Sequence, residues 1–139
     1  MANIKQKETG RILPHSLEAE EAVLGCMLIN NNAVPKAIQN LEKNSFYSTI
    51  NQTIYESMVE LFEGNKNIDY VSLTDQLKKN KKLEEVGGAY FITGLSKNAP
   101  SAENIDYYAQ IVKEKFILRQ IIQVSRNISL EAYDSTEEV

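Results

Sequence analysis

The stretch SAENIDYYAQIVKEKFILRQIIQVSRNISLEAY, residues 101–133, decides the fold, because it runs without glycine or proline and keeps helical spacing. Ser101 is a favourable N-cap, and Glu103 and Asp106 place negative charge near the positive end of a helix. The apolar residues form two stripes. The first holds Ile105, Tyr108, Ala109, Val112 and Phe116, and the second holds Ile117, Ile121, Val124 and Ile128. The pattern predicts one long helix, or two helices with a slight break.

The second half of this helix is apolar on more than one side, so it must be covered on more than one side. The sequence after residue 133 is acidic and polar, and no second apolar helix follows within these 139 residues. We therefore expect the cover to come from another subunit or from sequence beyond this chain. The predicted interface consists of Phe116, Ile117, Ile121, Val124 and Ile128.

Five shorter helices are predicted before the long one. Ser16 is the expected N-cap of the first, whose apolar face is formed by Leu17, Val23, Leu24, Met27 and Leu28. In the third, roughly residues 51–63, the apolar residues Ile54, Met58, Leu61 and Phe62 are spaced at i, i+4, i+7 and i+8. Ser72 and Asp75 resemble a capping box for the fourth helix, and Gly87 with Gly88 opens the fifth.

No segment shows sustained two-residue alternation. The sequence predicts an all-α fold: a small orthogonal bundle of about six helices with a long C-terminal helix. We expect a flexible N-terminal arm at residues 1–13, a helical head at 14–100, the long helix at 101–133 and a polar tail at 134–139.

Composition narrows the class of protein. Apolar residues make up 42% of the chain and charged residues 24%, and the formal net charge is −4. These values are ordinary for a soluble globular protein and argue against a surface dedicated to duplex DNA. No apolar run approaches the ~20 residues that span a membrane. The polar N-terminus lacks the apolar core of a signal peptide, so we expect a cytoplasmic protein without a membrane partner.

The search for chemistry finds no catalytic, cofactor-binding or metal-binding residues. His15 is the only histidine, and Cys26 lies among apolar residues as a small buried hydrophobe would. Gly87 and Gly88 lack the lysine of a phosphate-binding loop and predict a tight turn into a helix. The basic run KKNKK, residues 78–82, is interpreted as a solvated helix end, with nucleic-acid binding as its alternative. From the residues alone, the chain is a helical interaction domain.

A series of short motifs resembles the N-terminal domain of bacterial replicative DNA helicases of the DnaB type. The opening PHSLEAE (14–20) and VLG (23–25) is followed by FY (46–47), IY (54–55) and ID (68–69) with Val71 and Leu73. Further matches are LEEVGG (83–88), PSA (100–102) with NI (104–105), YAQIVKEK (108–115), Arg119 and AY (132–133). The resemblance covers residues 11–133, and it rests on the number, order and spacing of the pieces.

The resemblance implies a helical head followed by a helical hairpin, of which residues after Ser101 form the first arm. In that family such domains assemble as a collar, a trimer of dimers, on a hexameric ring. The collar docks primase and helps to organise the helicase loader. A separate motor domain binds ATP and magnesium, hydrolyses ATP and moves on single-stranded DNA. That motor is absent from this sequence, so the fragment is expected to be no enzyme, whereas its parent is expected to be an ATP-dependent helicase.

Two further alternatives remain at this stage. One is a stand-alone adaptor or regulator that copies the collar without a motor. The other is the helicase-binding domain of primase, which has a similar fold. The motifs at residues 14–25 and 100–115 favour the helicase.

Overall fold

The computed structural model describes residues 11–138, with side chains described to residue 135. This part of the chain contains six α-helices and two short 3-10 turns and no β-strand, which confirms the all-α prediction. The helices are α1 (Leu17–Ile29), α2 (Ala33–Asn40), α3 (Thr49–Glu63), α4 (Tyr70–Lys79), α5 (Gly88–Lys97) and α6 (Ile105–Glu138), and the turns are Lys43–Ser45 and Ala102–Asn104.

Helix α1 is the centre of the bundle and contacts α2, α3, α5 and α6. Its side chains are apolar on nearly all sides, as expected of a helix that other helices surround. Val23, Leu24, Cys26 and Met27 are fully buried, in agreement with the sequence prediction for this helix. Leu17 was predicted on the same apolar face but is 42% exposed, because it occupies the first turn, where α1 begins outside the core.

Local capping sets the helix starts. The Ser16 hydroxyl accepts a hydrogen bond from the Ala19 amide at 3.1 Å, which confirms the predicted N-cap of α1. Helix α3 begins at Thr49, two residues before the predicted start, because Ser48 caps it. Phe62 shares the helical spacing of Ile54, Met58 and Leu61, but it lies in the last turn of α3 and is exposed.

The capping box of α4 lies three residues earlier than predicted. The Asp69 carboxylate accepts from the Ser72 amide at 2.8 Å, and the Ser72 hydroxyl accepts from the Asp69 amide at 2.9 Å. The prediction of Ser72 with Asp75 was wrong because Ile68 is buried in the core, which brings the chain into the helix directly after it. Asp75 instead forms an exposed ion pair with Lys79.

Helix α6 is one continuous helix that begins four residues later and ends five residues later than predicted. Ser101 caps the 3-10 turn Ala102–Asn104, and this turn leads directly into α6 at Ile105. The helix continues to Glu138, so the described residues of the expected polar tail, 134–138, continue the helix. These residues include no glycine or proline to stop a helix, and glutamate has good helix propensity.

The first stripe of α6 packs against the head, as predicted. Ile105, Ala109 and Val112 are fully buried, and Phe116 is half-buried. Residues 1–10 of the predicted arm lie outside the described residues. Leu13, at the end of that segment, is half-buried, and with Pro14 it lines a cavity beside Ile122 of α6. Within residues 11–138, no helix is both long and apolar enough to cross a membrane.

Candidate interaction surface on the long helix

Four apolar residues form an exposed ridge along α6. Ile117, Ile121, Val124 and Ile128 are between 43% and 62% exposed. Their spacing of i, i+4, i+7 and i+11 puts them on one face of the helix, about 120° around from the stripe that packs on the head. The structure therefore brings these four predicted residues together, and we call them the ridge. That the ridge is an interface stays a prediction.

Phe116, the fifth predicted interface residue, does not belong to the ridge. It is half-buried, and its ring lies 5.8 Å from the guanidinium carbon of Arg119. It follows Val112 on the stripe that faces the head, because residues four apart lie on the same side of a helix. Phe116 therefore contributes to the junction between α6 and the head.

In the half of α6 beyond the head, three other large apolar residues are exposed and were not in the predicted interface. They are Leu118, Leu130 and Tyr133, which are between 43% and 70% exposed. Helical geometry places them off the ridge, on other sides of α6. The half of α6 beyond the head therefore presents apolar groups in several directions, as the sequence indicated for this helix.

A groove lies beside the ridge, where the end of α2 approaches α6. Its volume is about 480 Å³, and Ile38, Leu41, Phe116 and Ile117 supply apolar lining. Gln39, Glu42, Lys113 and Gln120 add polar groups. Ile117 is shared by the ridge and the groove, so the two features adjoin and combine apolar with polar groups.

A polar network holds the loop that faces α6, and sequence reasoning missed it. Glu20 is an acidic residue in the first turn of α1, yet it is 1% exposed. Its carboxylate accepts from the Tyr47 amide at 2.7 Å, the Ser48 amide at 3.3 Å and the Asn51 side-chain amide at 3.0 Å. A buried carboxylate with three donors keeps this loop in place. The one available signal was its place on the apolar face of α1, with Leu17, Val23 and Leu24 at i−3, i+3 and i+4.

Arg119 joins α6 to the head. Its guanidinium donates to the Pro14 carbonyl and to the Ser45 carbonyl, both at 2.9 Å. The guanidinium carbon also lies 5.5 Å from the ring centre of Tyr47. Burial lowers the pKa of Arg119, while Glu20 and Tyr47 act in the opposite direction. Among the sequence features, Arg119 was only one match in the family pattern.

His15 has a structural role. Its ring stacks on Tyr47 with centres 4.1 Å apart, and Nδ1 lies 2.7 Å from the Leu13 carbonyl oxygen. A carbonyl oxygen can only accept, so Nδ1 is the donor. Cys26 is also structural: burial raises the pKa of its thiol, and its Sγ lies 3.7 Å from the Pro100 carbonyl oxygen. A raised pKa disfavours the reactive thiolate.

The backbone amides of Gly87 and Gly88 are already used within the turn. The first donates to the Glu84 carbonyl at 3.1 Å, and the second to the Leu83 carbonyl at 2.9 Å. Both residues have positive φ, 99° and 72°, which glycine adopts readily. Amides committed to the preceding turn do not cradle a phosphate, so the predicted tight turn is confirmed.

The basic run at residues 78–82 lies at the end of α4. Lys79 pairs with Asp75 and Lys82 pairs with Glu85, both at 3.3 Å. Two of its four lysines are therefore partly neutralised by neighbouring carboxylates, and all of these partners are exposed. This arrangement agrees with the interpretation as a solvated helix end. No cluster of histidine, cysteine and acidic residues suited to a metal ion occurs in the described part of the chain.

Comparison with known proteins decides the family. Residues 12–114 match the model of the family described as DnaB-like helicase N terminal domain. The chain belongs to this family. Over 136 residues it is 38% identical to the replicative DNA helicase DnaB of Treponema pallidum (strain Nichols), which covers 98% of this chain and 31% of that protein. Over 129 residues it is 38% identical to the replicative DNA helicase DnaC of Bacillus subtilis (strain 168), covering 93% of this chain and 28% of that protein.

Solved structures of DnaB-like domains share the fold. The N-terminal domain of DnaB helicase from Mycobacterium tuberculosis has a TM-score of 0.88 and 30% identity, covering 91% of this chain and 90% of that one. The corresponding domain from Helicobacter pylori has a TM-score of 0.72, with 96% of this chain and 99% of that one covered, and its 22% identity shows the fold alone. This chain thus spans less than a third of the full-length helicases it resembles and nearly all of the isolated domains.

Proposed function

We propose that this chain is the N-terminal collar domain of a hexameric replicative DNA helicase, and that the ridge on α6 mediates assembly of its subunits. The observation that carries the proposal is an apolar ridge left exposed on the last helix of a DnaB-like domain. The driving force is burial of apolar surface. A fully buried aliphatic side chain contributes roughly 1.5–3 kcal/mol relative to an exposed one, so several ridge residues together can stabilise a pair of subunits.

The parent protein is proposed to unwind DNA with ATP hydrolysis during replication. ATP and Mg²⁺ would act in the remainder of the parent, which would also make the main contacts to single-stranded DNA. The amides of the Gly87–Gly88 turn are occupied within that turn, which supports a role without nucleotide binding there. We propose that this fragment is catalytically inert and that the protein is cytoplasmic. Release of phosphate from ATP by the purified chain would contradict its inertness.

Primase and the helicase loader are the proposed partners of the assembled collar. The Helicobacter pylori domain, which shares the fold, was described together with its interactions with primase. That description, with membership in the DnaB-like family, supports primase as a partner. The loader rests on the family resemblance alone.

The ridge is tested by introducing charge into it. Replacing both Ile121 and Val124 by Asp puts two carboxylates where self-association requires apolar contact, and burying an unpaired charge is costly. Sedimentation velocity across a wide concentration range is expected to show a shift toward monomer. Both residues are more than half exposed in the single chain, so the head should keep its fold, which circular dichroism checks.

The matched control adds the same two charges elsewhere on the same helix. Asn127→Asp with Ser129→Asp places them on exposed positions away from the ridge. This variant is expected to sediment like the unmodified chain. A chain that is monomeric at every concentration, or that loses association equally in both variants, would overturn the assignment of the ridge.

A further inference from the structure

The structure shows a compact contact at the point where α6 leaves the head. Up to Val112 the helix is buried against the bundle, and beyond Phe116 the ridge side is exposed. Arg119 lies at this transition and is half-buried. About nineteen residues of α6 follow it, and at 1.5 Å per residue they extend about 28 Å past the contact. A small change of angle at Arg119 therefore becomes a large displacement at the end of the helix.

The two hydrogen bonds of Arg119 reach two separate segments of the head. Pro14 belongs to the chain before α1, and Ser45 belongs to the 3-10 turn between α2 and α3. Both carbonyl oxygens lie 2.9 Å from the guanidinium nitrogens. A planar guanidinium presents its N–H groups in a fixed fork, so the two bonds together restrict the rotation of α6 as well as its distance from the head.

The groups around the guanidinium are themselves held in place. Tyr47 lies beside it, stacks on His15, and receives its position from the buried carboxylate of Glu20. Phe116, one turn earlier on α6, contributes a second ring at 5.8 Å. A cation beside aromatic rings gains from their negative faces, most strongly where water is partly excluded. The contact is therefore built from the start of the chain, a turn of the head and α6 itself.

We propose that Arg119 is a positioning residue that locks the angle between α6 and the head, so that the ridge is presented in one fixed direction. The lock is a property of the single chain and does not depend on the proposed self-association. In an assembly, the lock would keep each head at a fixed orientation relative to the long helix of its own subunit.

The lock is tested by measuring the distance between the head and the far part of α6. Spin labels are attached to cysteines introduced at Lys66, in the exposed loop after α3, and at Ser129, exposed on α6, with Cys26 replaced by Ala. Double electron–electron resonance on frozen samples then gives the distribution of distances. Dilution of the labelled chain into an excess of unlabelled chain removes distances between subunits, whether or not the chain self-associates.

The expected results separate the lock from simple stabilisation. The reference chain should give one narrow distance distribution, and both Arg119→Gln and Arg119→Lys should broaden it. Lys keeps the charge but lacks the fork that reaches two carbonyls at once. The matched control is Arg126→Gln, because this half-buried arginine of the same helix makes no hydrogen bond or ion pair within the described residues. It should leave the distribution narrow.

Two results would overturn the proposal. A narrow distribution in both Arg119 variants, even with a lower melting temperature, would reduce Arg119 to an ordinary stabilising contact. A narrow distribution in Arg119→Lys alone would overturn the lock through two carbonyl bonds, because charge beside the rings would then suffice to hold the angle. Both variants are frozen from solutions kept well below their melting temperatures. Circular dichroism of these solutions confirms that the labelled chains are folded.

Discussion

At the scale of single residues, two helical glycines have opposite surroundings. A Cβ added at Gly25 of α1 would lie 2.5 Å from the Leu95 carbonyl oxygen and 2.8 Å from the Ala99 Cβ, whereas one added at Gly94 of α5 would meet nothing within 4 Å. Gly25→Ala is therefore expected to reduce the free energy of unfolding by roughly 1–3 kcal/mol, as overpacking does. Gly94→Ala should increase it by about 0.5–1 kcal/mol, because Ala favours the helix.

Urea unfolding followed by circular dichroism measures both glycine variants against the parent chain. Each variant is the control for the other, because both substitutions add one methyl group to a helix but should change the free energy of unfolding in opposite directions. A Gly25→Ala variant as stable as the parent would mean that α1 and α5 can separate at no cost, contrary to their close packing.

At the scale of an element, α4 tests which residues form its N-terminal cap. Asp69→Ala removes the acceptor for the Ser72 amide and is expected to cost about 1 kcal/mol. Asp75→Ala removes only an exposed ion pair with Lys79, worth a few tenths of a kcal/mol, about 0.5 at most. Thermal unfolding of the two variants ranks the losses. A larger loss for Asp75→Ala than for Asp69→Ala would restore the capping box expected from the sequence.

At the scale of the whole molecule, the two halves of α6 differ in what stabilises them. Residues 105–119 contact the head, while most of residues 120–135 are exposed in the single chain. An isolated helix of that length is marginal in water, because most helix stability comes from packing. We expect fast amide hydrogen exchange beyond residue 120 at low protein concentration and slow exchange before residue 116.

Raising the protein concentration should slow exchange in the distal half alone if the ridge is covered by a second chain. Hydrogen exchange followed by mass spectrometry measures both halves in one experiment, so the proximal half is an internal control. Equal and concentration-independent protection along α6 would show that the distal half is stable without any cover.

The sequence by itself determined the features that depend on near neighbours. The cap at Ser16, the tight turn at Gly87 and Gly88 and the buried stripe of Ile105, Ala109 and Val112 all follow from side chains within a few residues of one another. Helical periodicity and helix starts are local, so the all-α fold and the length of the last helix, apart from its final turn, could be predicted. The ordered series of motifs also identified the family.

Only the tertiary structure decided which residues from distant parts of the chain meet. The Arg119 contact joins Pro14, Ser45 and Tyr47, and Glu20 supports it from α1. The tertiary structure also placed Phe116 at the junction between α6 and the head and left Ile117 exposed, although the two residues are adjacent in sequence. Spacing alone shows that a helix has two apolar faces. Which face the head covers depends on how the helices pack, and that packing is set by contacts across the whole chain.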